Sequence, residues 1–449
     1  MPELPEVETI KRYLEPLLKE KSIKEIAIII DKHTPPKLEF ERLLDAKLTS
    51  LTRRGKYLLF NFDNKHTLII HLRMEGKFFF NEIEAKYRPH IIFIATFGDD
   101  RLYFVDTRRF ARIELVKTSE LISHPALQKL GPDLADDEID SNKLYEKVKR
   151  SGTYIKKLLL DQTFVSGLGN IYVDESLFAA KINPYSKAKN LSIKEFKEII
   201  SHAKRILKNA TEFGGTTVKT FHVDHHKIGS YQNELKVYQQ ENKPCPVCGF
   251  PIKKNYYLGR GTHFCPHCQR IKSLVPTYSL TGLTSGGKSF IMTKISNDFI
   301  KYSSDDLVNQ LYFDDDFIKN IKTTFNLKEF NKNTLKEIRT KNPPLFLRIS
   351  RVIREIIELL ILKIVSEAKT PLVIEVPVLF NEGLNYLFTT NIGIDVDADT
   401  QKNNAKTREL SDVDVAAYNK VNAYLKYRHY LEYHFTSKDF DFSVLKIKA

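Results

Sequence analysis

Cysteine is scarce in this chain, with four in 449 residues, which is too few for a disulfide-stabilised scaffold. No apolar run reaches the roughly 18 residues that a membrane-spanning helix needs. The first ten residues, MPELPEVETI, hold three glutamates and no basic segment, so they are not typical of a signal peptide. Internal repeats and low-complexity segments are not evident. We therefore expect a cytoplasmic protein without a membrane partner, and we expect it to be monomeric.

The positive charge of the chain is unevenly distributed. A chain of this length is expected to form about two to four domains, and its net charge is +14. Residues 1–280 hold 46 Lys and Arg against 34 Asp and Glu, whereas residues 281–449 hold 24 against 22. A basic surface without a special partner is one explanation, but the excess favours a polyanion such as nucleic acid for the first part. The near-neutral second part favours a small-molecule or protein partner.

Hydrophobic patterning divides the chain into three regions that differ in predicted secondary structure. Residues 51–116 contain short apolar and aromatic runs separated by turn residues, which predicts an antiparallel sandwich or barrel. Residues 193–213 have apolar positions at helical spacing and are followed by two glycines. After Leu280 the pattern predicts a strand, a loop and a helix, a long helix near 344–367, and strands at 372–380 and 391–398. That alternation is typical of an α/β fold.

All four cysteines form one pattern, C-x2-C-x16-C-x2-C, with ligand candidates Cys245, Cys248, Cys265 and Cys268. Two tight knuckles that each supply two thiolates complete a tetrahedron around Zn²⁺. Four thiolates leave no open coordination position, so we predict one structural zinc ion. Unrelated buried thiols are the alternative. The loop between the pairs, KKNYYLGRGTH, is basic and aromatic and suits a phosphate backbone.

A second motif, GLTSGGKS, follows within twenty residues and fits the phosphate-loop pattern G-x4-G-K-S. Backbone N–H groups of such a loop hold phosphate oxygens, the lysine reaches the β- and γ-phosphates, and the serine hydroxyl binds Mg²⁺. An ordinary glycine-rich turn is the alternative, but an apolar stretch before the loop and a helical pattern after it supply the expected context. The predicted ligands of ATP with Mg²⁺ are Gly282, Leu283, Thr284, Ser285, Gly286, Gly287, Lys288 and Ser289.

The N-terminus offers a nucleophile. Pro2 permits removal of Met1, which would leave a secondary amine with a pKa well below that of lysine. Such an amine can attack an electrophilic carbon, and attack at a sugar C1′ gives an iminium ion. Glu3 would lie beside it as acid or base. Taken alone this indication is weak, because proline is common at position 2.

Several further motifs occur in a fixed order with this start: RRGKYLL (53–59), DTRRF (106–110), LLLDQTFVSGLGNIYVDESLF (158–178), GGTT (214–217) and GRGTHFCPHCQ (259–269). Together they resemble bacterial formamidopyrimidine-DNA glycosylase, also called 8-oxoguanine DNA glycosylase, over residues 1–269. The resemblance implies a β-sandwich at 1–135, a helix–two-turn–helix domain at 136–230 and a zinc finger at 231–269. It also implies a bifunctional glycosylase and abasic-site lyase that excises oxidised purines from damaged double-stranded DNA.

The resemblance also assigns roles to residues. Pro2 would form the Schiff base, Glu3 would help to open the sugar, Lys56 would assist β-elimination, and Arg260 would grip phosphate and serve δ-elimination. The implied DNA-binding residues are Met74, Arg88, His90, Arg108, Arg109, Phe110, Arg150, Lys156 and Asn170. Met74, Arg108 and Phe110 would fill the gap left by a flipped base. Without the resemblance, Met74 and Phe110 are more simply core residues, and Lys156 is a solvated helix charge.

Some positions depart from the glycosylase pattern. Arg73 and Glu75 flank Met74 where small residues are usual, Thr107 stands where proline is common, and only His90 matches a usual histidine pair. These departures affect fine DNA contacts and not the chemistry. The related endonuclease VIII group, which prefers oxidised pyrimidines, is the neighbouring alternative; Leu4 and the DTRRF form favour the purine enzyme.

Residues 278–399 resemble dephospho-coenzyme A kinase through YSLTGLTSGGKS, SSDDL, IEVPVLFNEGL and IGIDVDADTQ. The resemblance implies a phosphate-loop kinase domain at 278–449, joined by a linker at 270–277, that phosphorylates dephospho-coenzyme A with ATP. Asp306 would be the base, with Asp305 beside it, and Arg408 would be a lid arginine. Ser304 and Asn404 stand where an acid and an arginine are expected, so a decayed kinase is one alternative. An ATP-driven repair machine is another, but two separate activities are the preferred interpretation, because glycosidic cleavage through an iminium needs no ATP.

Overall fold

The computed structural model describes residues 2–30, 37–135, 138–216 and 229–445. The chain divides into two compact units. The first comprises residues 1–180, 191–243 and 254–264, and the second comprises residues 181–190, 244–253 and 265–449. The metal-binding cysteine pairs therefore belong to the same unit as the C-terminal region. Across the described residues, no helix has both the length and the apolar character that crossing a membrane requires.

The first unit contains a sandwich of two four-stranded antiparallel sheets, ordered β1-β6-β7-β5 and β2-β3-β4-β8. The strands β1 to β8 are Ile23–Ile28, Leu48–Arg54, Tyr57–Phe62, His66–His71, Lys77–Phe80, Ile91–Phe97, Asp100–Val105 and Arg112–Lys117. Apolar side chains from both sheets form one core, including Phe60, Phe78 and Phe104. The predicted sandwich is confirmed, because alternating apolar positions in these strands face that core.

Seven α-helices lie in the described residues of the first unit. They are α1 Leu4–Leu18, α2 Lys37–Phe40, α3 Pro125–Gln128, α4 Ser141–Val148, α5 Ile155–Leu160, α6 Asn170–Ala179 and α7 Ile193–Glu212. Helix α7 closely matches the predicted helix: Ser192 and Glu195 form a capping box at its start, and Phe213 and Gly214 follow its end. Two short strands, β9 Lys253–Asn255 and β10 Thr262–Phe264, form a separate sheet.

The second unit is built on a five-stranded parallel sheet in the order β12-β13-β11-β14-β15. Its strands β11 to β15 are Thr277–Gly282, Ile300–Ser303, Leu372–Glu375, Thr390–Asp395 and Tyr433–Thr436. Its helices α8 to α15 are Lys288–Lys294, Ser304–Leu311, Asp315–Phe325, Lys332–Lys341, Pro343–Glu367, Ala398–Thr407, Asp412–Val421 and Tyr424–Tyr427. Ligands of open parallel sheets bind outside the carboxyl ends of the strands, and that is where the loop after β11 lies.

Two predicted strands were too long. The apolar run at 372–380 is a strand only to Glu375, because the chain turns at Pro377 and its remaining apolar residues pack as a loop. The strand predicted at 391–398 ends at Asp395, and Asp397 caps helix α13 by accepting the Thr400 amide hydrogen. Residues 270–277, predicted as a linker, are packed: Ile271 is buried, and its amide donates to the carbonyl oxygen of Tyr386.

Candidate functional site

Glu3 is a buried carboxylate at the start of α1. Its oxygens accept hydrogen bonds from the backbone amides of Gly169, Ile171 and Tyr172, at 2.8, 2.9 and 3.3 Å, where α6 begins. A Cβ atom at Gly169 would lie 2.2 Å from the Glu3 carboxyl carbon, so only glycine leaves room for this contact. Burial raises the pKa of Glu3, while Lys56 and the backbone amides oppose that rise. Burial therefore makes Glu3 hold a proton more readily than an exposed glutamate does.

Lys56 lies beside Glu3. Its side chain is 6% exposed, and its ammonium donates to the carbonyl oxygen of Leu168 at 2.7 Å. Burial lowers the pKa of Lys56 to about 8, and the Glu3 carboxylate opposes the change. Pro2, which precedes Glu3, is buried as well. The Arg260 guanidinium also contributes to the lowered pKa of Lys56. The structure thus brings Glu3 and Arg260 both within electrostatic range of Lys56, with Pro2 next to Glu3 in the chain.

The sequence interpretation missed Glu6. This buried carboxylate accepts the Glu3 amide at 2.8 Å, the Tyr172 hydroxyl at 2.6 Å and the Thr216 amide at 2.9 Å. It therefore ties the first residues of the chain to α6 and to the segment after α7. Two glutamates three residues apart at a helix start are a capping-box signal that indicates this role.

Lys156 is placed differently from its predicted contact with DNA. Its side chain is fully buried and pairs with Asp174 at 2.6 Å, so it does not reach the surface. It also donates to the carbonyl oxygen of Gly261 at 3.2 Å, and Asn170 donates to the same oxygen at 2.9 Å. Gly261 follows Arg260, whose side chain is exposed. Lys156 and Asn170 therefore support the Arg260 loop from beneath.

The predicted gap-filling residues are exposed. Met74 is 38% exposed and Phe110 is 48% exposed, so the interpretation of both as core residues is wrong. The guanidinium of Arg108 stacks 5.0 Å from the centre of the Phe110 ring. Asp106 organises this loop, because its carboxylate accepts the amides of Arg108, Phe110 and Ala111.

The remaining predicted DNA contacts lie on the surface of the first unit. Arg109 is exposed and has a positive φ of 55°, which fits a turn at the tip of the loop. Arg88 is exposed and His90 is half-buried, and both lie in a 3-10 turn at Ala85–His90. Within the described residues the His90 Nδ1 atom has no hydrogen-bond partner. Arg150 is exposed after α4, and its guanidinium lies 3.9 Å from the Glu146 carboxylate.

The four cysteines lie together. Their sulfur atoms are all within 4.8 Å of one another, with Cys245 and Cys268 separated by 3.9 Å and Cys248 and Cys265 by 3.5 Å. A tetrahedron with Zn–S bonds of about 2.3 Å has sulfurs roughly 3.8 Å apart, so these residues fit Zn²⁺. The amides of Val247 and Cys268 donate to thiolate positions, which is typical of metal-binding knuckles.

The glycine-rich loop predicted to bind phosphate, called the phosphate loop below, connects β11 to α8. Gly282 and Gly287 have φ of 152° and 90°, and a Cβ atom at Gly282 would lie 2.4 Å from the Ile394 carbonyl oxygen. Lys288 is 6% exposed and donates to the carbonyl oxygens of Leu283 and Gly282, at 2.8 and 3.3 Å. Burial lowers the pKa of Lys288 to about 8, and Glu375 opposes the change. The loop therefore places a buried lysine at a helix N-terminus, with the Glu375 carboxylate as a nearby negative charge.

A cavity of about 800 Å³ opens beside this loop, lined by Lys288, Ser289, Asp305, Asp306, Glu375 and Arg408. The Ser289 hydroxyl donates to both Glu375 oxygens, at 3.3 and 3.4 Å, and Arg408 lies 3.2 Å from the same hydroxyl. Desolvation raises the pKa of Glu375 and of Asp305, and Lys288 opposes both rises. The sequence interpretation missed Glu375, although an acid that ends a buried strand beside a phosphate loop indicates a metal ligand.

Both aspartates considered as the base line this cavity, so Asp306 stays a prediction beside its neighbour Asp305. Of the two, Asp305 is the carboxylate that interacts electrostatically with Lys288. Asn404, where an arginine was expected, donates to the carbonyl oxygen of Ser285 at 2.9 Å and so contacts the phosphate loop without a charge.

Comparisons with known protein families identify the family of the first part of the chain. Profiles of the formamidopyrimidine-DNA glycosylase N-terminal domain, of its H2TH domain and of the zinc finger found in FPG and IleRS match residues 1–113, 130–222 and 242–271. Formamidopyrimidine-DNA glycosylase of Ligilactobacillus salivarius is 42% identical over 277 residues, which are 61% of this chain and all of the relative. The chain belongs to the formamidopyrimidine-DNA glycosylase family.

Solved structures of the formamidopyrimidine-DNA glycosylase family agree. Wild-type Lactococcus lactis Fpg in complex with DNA containing N7-benzyl-Fapy-dG is 36% identical, with a TM-score of 0.57. The Lactococcus lactis Fpg complex with DNA containing an abasic site is also 36% identical, with a TM-score of 0.56. Each match covers 60% of this chain and 99% or more of the solved chain. The glycosylase assignment therefore concerns the first three fifths of the chain.

Proposed function

We propose that this chain is a DNA glycosylase and abasic-site lyase that removes oxidised purines, 8-oxoguanine and formamidopyrimidines, from duplex DNA. The observation that carries the proposal is the buried Glu3 carboxylate at the start of α6, beside Pro2 and Lys56. An ordinary surface N-terminus has no reason to bury an acid and a lysine together, because both pay a desolvation cost. The related Lactococcus lactis enzyme was solved with damaged and abasic DNA.

The chemistry begins at the amine of Pro2 after removal of Met1. Its lone pair forms a bond to C1′, the bond from C1′ to the base breaks, and the base leaves with the bonding electrons and takes up a proton. Glu3 gives its proton to the sugar ring oxygen as the ring opens, which leaves an iminium ion between Pro2 and C1′. Burial raises the pKa of Glu3 and so favours the protonated form that this step uses.

Strand cleavage follows from the iminium ion, which acidifies the hydrogens at C2′. Loss of one of them expels the 3′ phosphate, and a second elimination expels the 5′ phosphate. Lys56, with a pKa lowered to about 8, exchanges protons readily at neutral pH and assists the first elimination. Arg260 grips the departing phosphate from the loop that Lys156 and Asn170 support.

The damaged nucleotide must leave the base stack before the reaction, because the Pro2 amine cannot reach C1′ inside a duplex. Met74, Arg108 and Phe110 are exposed and fill the resulting gap. Arg108 faces the orphaned base, since a guanidinium matches the acceptors on a base edge. Arg88, His90, Arg109 and Arg150 provide further backbone contacts from the same unit.

Borohydride trapping tests this proposal. Reduction of the iminium during reaction with 8-oxoguanine duplex DNA should join protein and DNA covalently through Pro2. Pro2→Gly should greatly reduce trapping, and acetylation of the N-terminal amine should abolish it. Pro5→Gly serves as the matched control, because it replaces a proline in the first turn of α1 and leaves the amine of Pro2 in place. Undiminished trapping by Pro2→Gly, or by the blocked amine, rejects Pro2 as the nucleophile.

We also propose a second function, ATP-dependent phosphorylation of dephospho-coenzyme A, for the phosphate-loop cavity. The observation that favours it is the convergence of Lys288, Glu375 and Asp305 at the carboxyl edge of the parallel sheet. Backbone amides of the loop and Lys288 hold the phosphates. A bound Mg²⁺, held by Ser289 and Glu375, would neutralise phosphate charge. Asp305 accepts the proton of the attacking hydroxyl, with Asp306 as its neighbour, and Arg408 contacts the transferring group.

Calorimetric titration with Mg·ATP and a direct assay of coenzyme A formation test the second function. Wild-type protein should bind ATP and form coenzyme A. Lys288→Ala should abolish both, whereas Lys294→Ala, an exposed lysine in the same helix, should not. Binding of ATP without coenzyme A would leave a phosphate-binding domain that is not this kinase. Absence of ATP binding by the wild-type protein rejects the whole assignment.

A further inference from the structure

The zinc knuckles, residues 244–253 and 265–269, have an aromatic anchor in Phe250, which is 3% exposed. Its ring lies 5.2 Å from that of Tyr427, 5.1 Å from that of Tyr430 and 6.3 Å from that of Phe380. Those three rings belong to the region after β13. Further contacts to the knuckles come from this region and from helix α12, and we call the residues that make them the knuckle seat: Glu358, Phe380, Glu382, Asn385, Tyr427 and Tyr430.

Two seat residues bond to the backbone at the metal-binding positions. The Tyr430 hydroxyl donates to the carbonyl oxygen of Cys248 at 2.8 Å. Asn385 donates to the carbonyl oxygen of Pro266, the residue after Cys265, at 3.1 Å. One bond therefore holds each knuckle next to a cysteine. Hydrogen bonds of this kind around a metal site orient its ligands and slow their loss.

An ion pair completes the seat. The ammonium of Lys253 lies 2.7 Å from a Glu358 oxygen, and both side chains are mostly buried. Glu358 also accepts the Tyr386 hydroxyl at 2.7 Å, and Lys253 donates to the Glu382 carbonyl oxygen. A buried pair with further hydrogen bonds fixes one arrangement, because breaking it leaves an unpaired charge. The knuckle seat therefore contacts Phe250 and Lys253 and also makes the hydrogen bonds to the Cys248 and Pro266 carbonyl oxygens.

We propose that the C-terminal domain is a structural partner of the zinc finger, and that retention of zinc in this protein depends on the knuckle seat. Opening the finger releases the metal, and opening must first expose Phe250 and break the bonds to Cys248 and Pro266. The Ligilactobacillus salivarius relative is matched over its whole length by 61% of this chain, so the seat is an addition to that shared part. The proposal does not depend on nucleotide binding or on kinase activity.

Zinc release to a chromogenic chelator, measured on the full-length zinc-loaded protein, tests the proposal. Tyr430→Phe removes one hydrogen bond and keeps the ring, so release should be about fivefold faster than in the wild type. Tyr427→Ala removes an aromatic contact to Phe250, and release should be at least roughly tenfold faster. The measured quantity is the rate of zinc release, which does not depend on either proposed enzyme activity.

Tyr312 provides the matched controls. It is partly buried in the C-terminal domain and packs on Phe330, away from the knuckles. Tyr312→Phe and Tyr312→Ala should release zinc at the wild-type rate. If Tyr427→Ala does not fold, as judged by circular dichroism, Phe380→Leu takes its place. Wild-type release rates in Tyr430→Phe and in the folded ring variant overturn the proposal, and so does equally fast release by the Tyr312 variants.

Discussion

Lys56 in the first unit and Lys288 in the second are both buried lysines with a lowered pKa. Each side chain is 6% exposed, and each ammonium donates to a backbone carbonyl oxygen. Burial lowers the pKa of each to about 8, and a nearby carboxylate, Glu3 or Glu375, opposes the change. Both regions therefore hold a lysine that gives up its proton more easily than an exposed one.

The surroundings of the two lysines differ. The Glu3 carboxylate accepts hydrogen bonds from three backbone amides at the start of α6, which fix its position. Glu375 and Asp305 instead face a cavity of about 800 Å³. The Glu3 carboxylate is therefore fixed by the fold, whereas Glu375 and Asp305 border open space. If the two regions carry separate activities, as we propose, a substitution in one region should leave the activity of the other unchanged.

The largest expected effect is at Lys56. Lys56→Met should lower 8-oxoguanine strand cleavage by on the order of 10²–10⁴, because a positioned acid–base group is lost. ATP affinity should stay unchanged. The protein should remain folded, since burial already disfavours the ammonium. Gel assays of cleavage beside calorimetry measure both, with Lys117→Met, an exposed lysine of β8, as control. An equal loss of ATP binding would contradict the separation of the sites.

Removal of zinc should abolish DNA binding. Residues 254–264, which carry Arg260, connect the two knuckles, so loss of the metal frees both ends of that loop. Cys248→Ser or chelation should therefore reduce affinity for duplex DNA by at least roughly a hundredfold. Fluorescence anisotropy with labelled DNA and metal analysis of the same sample check this. Full DNA binding by a zinc-free Cys248→Ser protein would disprove it.

The two aspartates of the cavity should separate in effect. Asp305→Asn should lower phosphoryl transfer by about a hundredfold while sparing ATP binding, because only the proton acceptor is lost. Asp306→Asn should cost only a few-fold, since Asp305 is the carboxylate that interacts with Lys288. Initial rates of coenzyme A formation decide between them. A larger loss from Asp306→Asn would restore the assignment made from the sequence.

The smallest expected effect is on pH dependence. Lys288 attracts phosphate only when protonated, and burial lowers its pKa from 10.5 to about 8. The proton is therefore present below pH 8 and is lost as pH rises through that value. From about pH 7.5 to 9.0 the protonated fraction falls about eightfold, and ATP affinity should fall by a similar factor. Calorimetry across this range measures it. An ATP affinity of the wild type that stays constant across this range would contradict the role of the lysine.

Local patterns predicted much of this architecture. The sandwich strands, helix α7, the cysteine pairs and the strand–loop–helix at 277–294 depend on residues close in sequence, where period and spacing carry the signal. The strand at 372–380 was predicted too long, because a buried loop can be as apolar as a strand. Neither site could be completed in this way, since the packing that brings residues 166 positions apart into contact, as with Glu3 and Gly169, leaves no local pattern.

The lack of a local sequence pattern also explains why the burial of Lys156 and the contacts of Glu375 and Phe250 were not predicted. Lys156 is indistinguishable in sequence from a surface lysine, and only the fold buries it against Asp174. Glu375 and Ser289 meet because their strand and helix meet at one edge of the parallel sheet. Phe250 is hidden by rings that follow it by at least 130 positions.

The central claim is that one chain carries two independent sites. The most direct test is a paired assay of one purified preparation of wild type and Lys288→Ala, scoring 8-oxoguanine duplex cleavage and coenzyme A formation from the same tube, with and without ATP. The account predicts cleavage that is equal in both proteins and indifferent to ATP, and coenzyme A formation in the wild type alone. Cleavage that requires ATP, or that fails in Lys288→Ala, would contradict it.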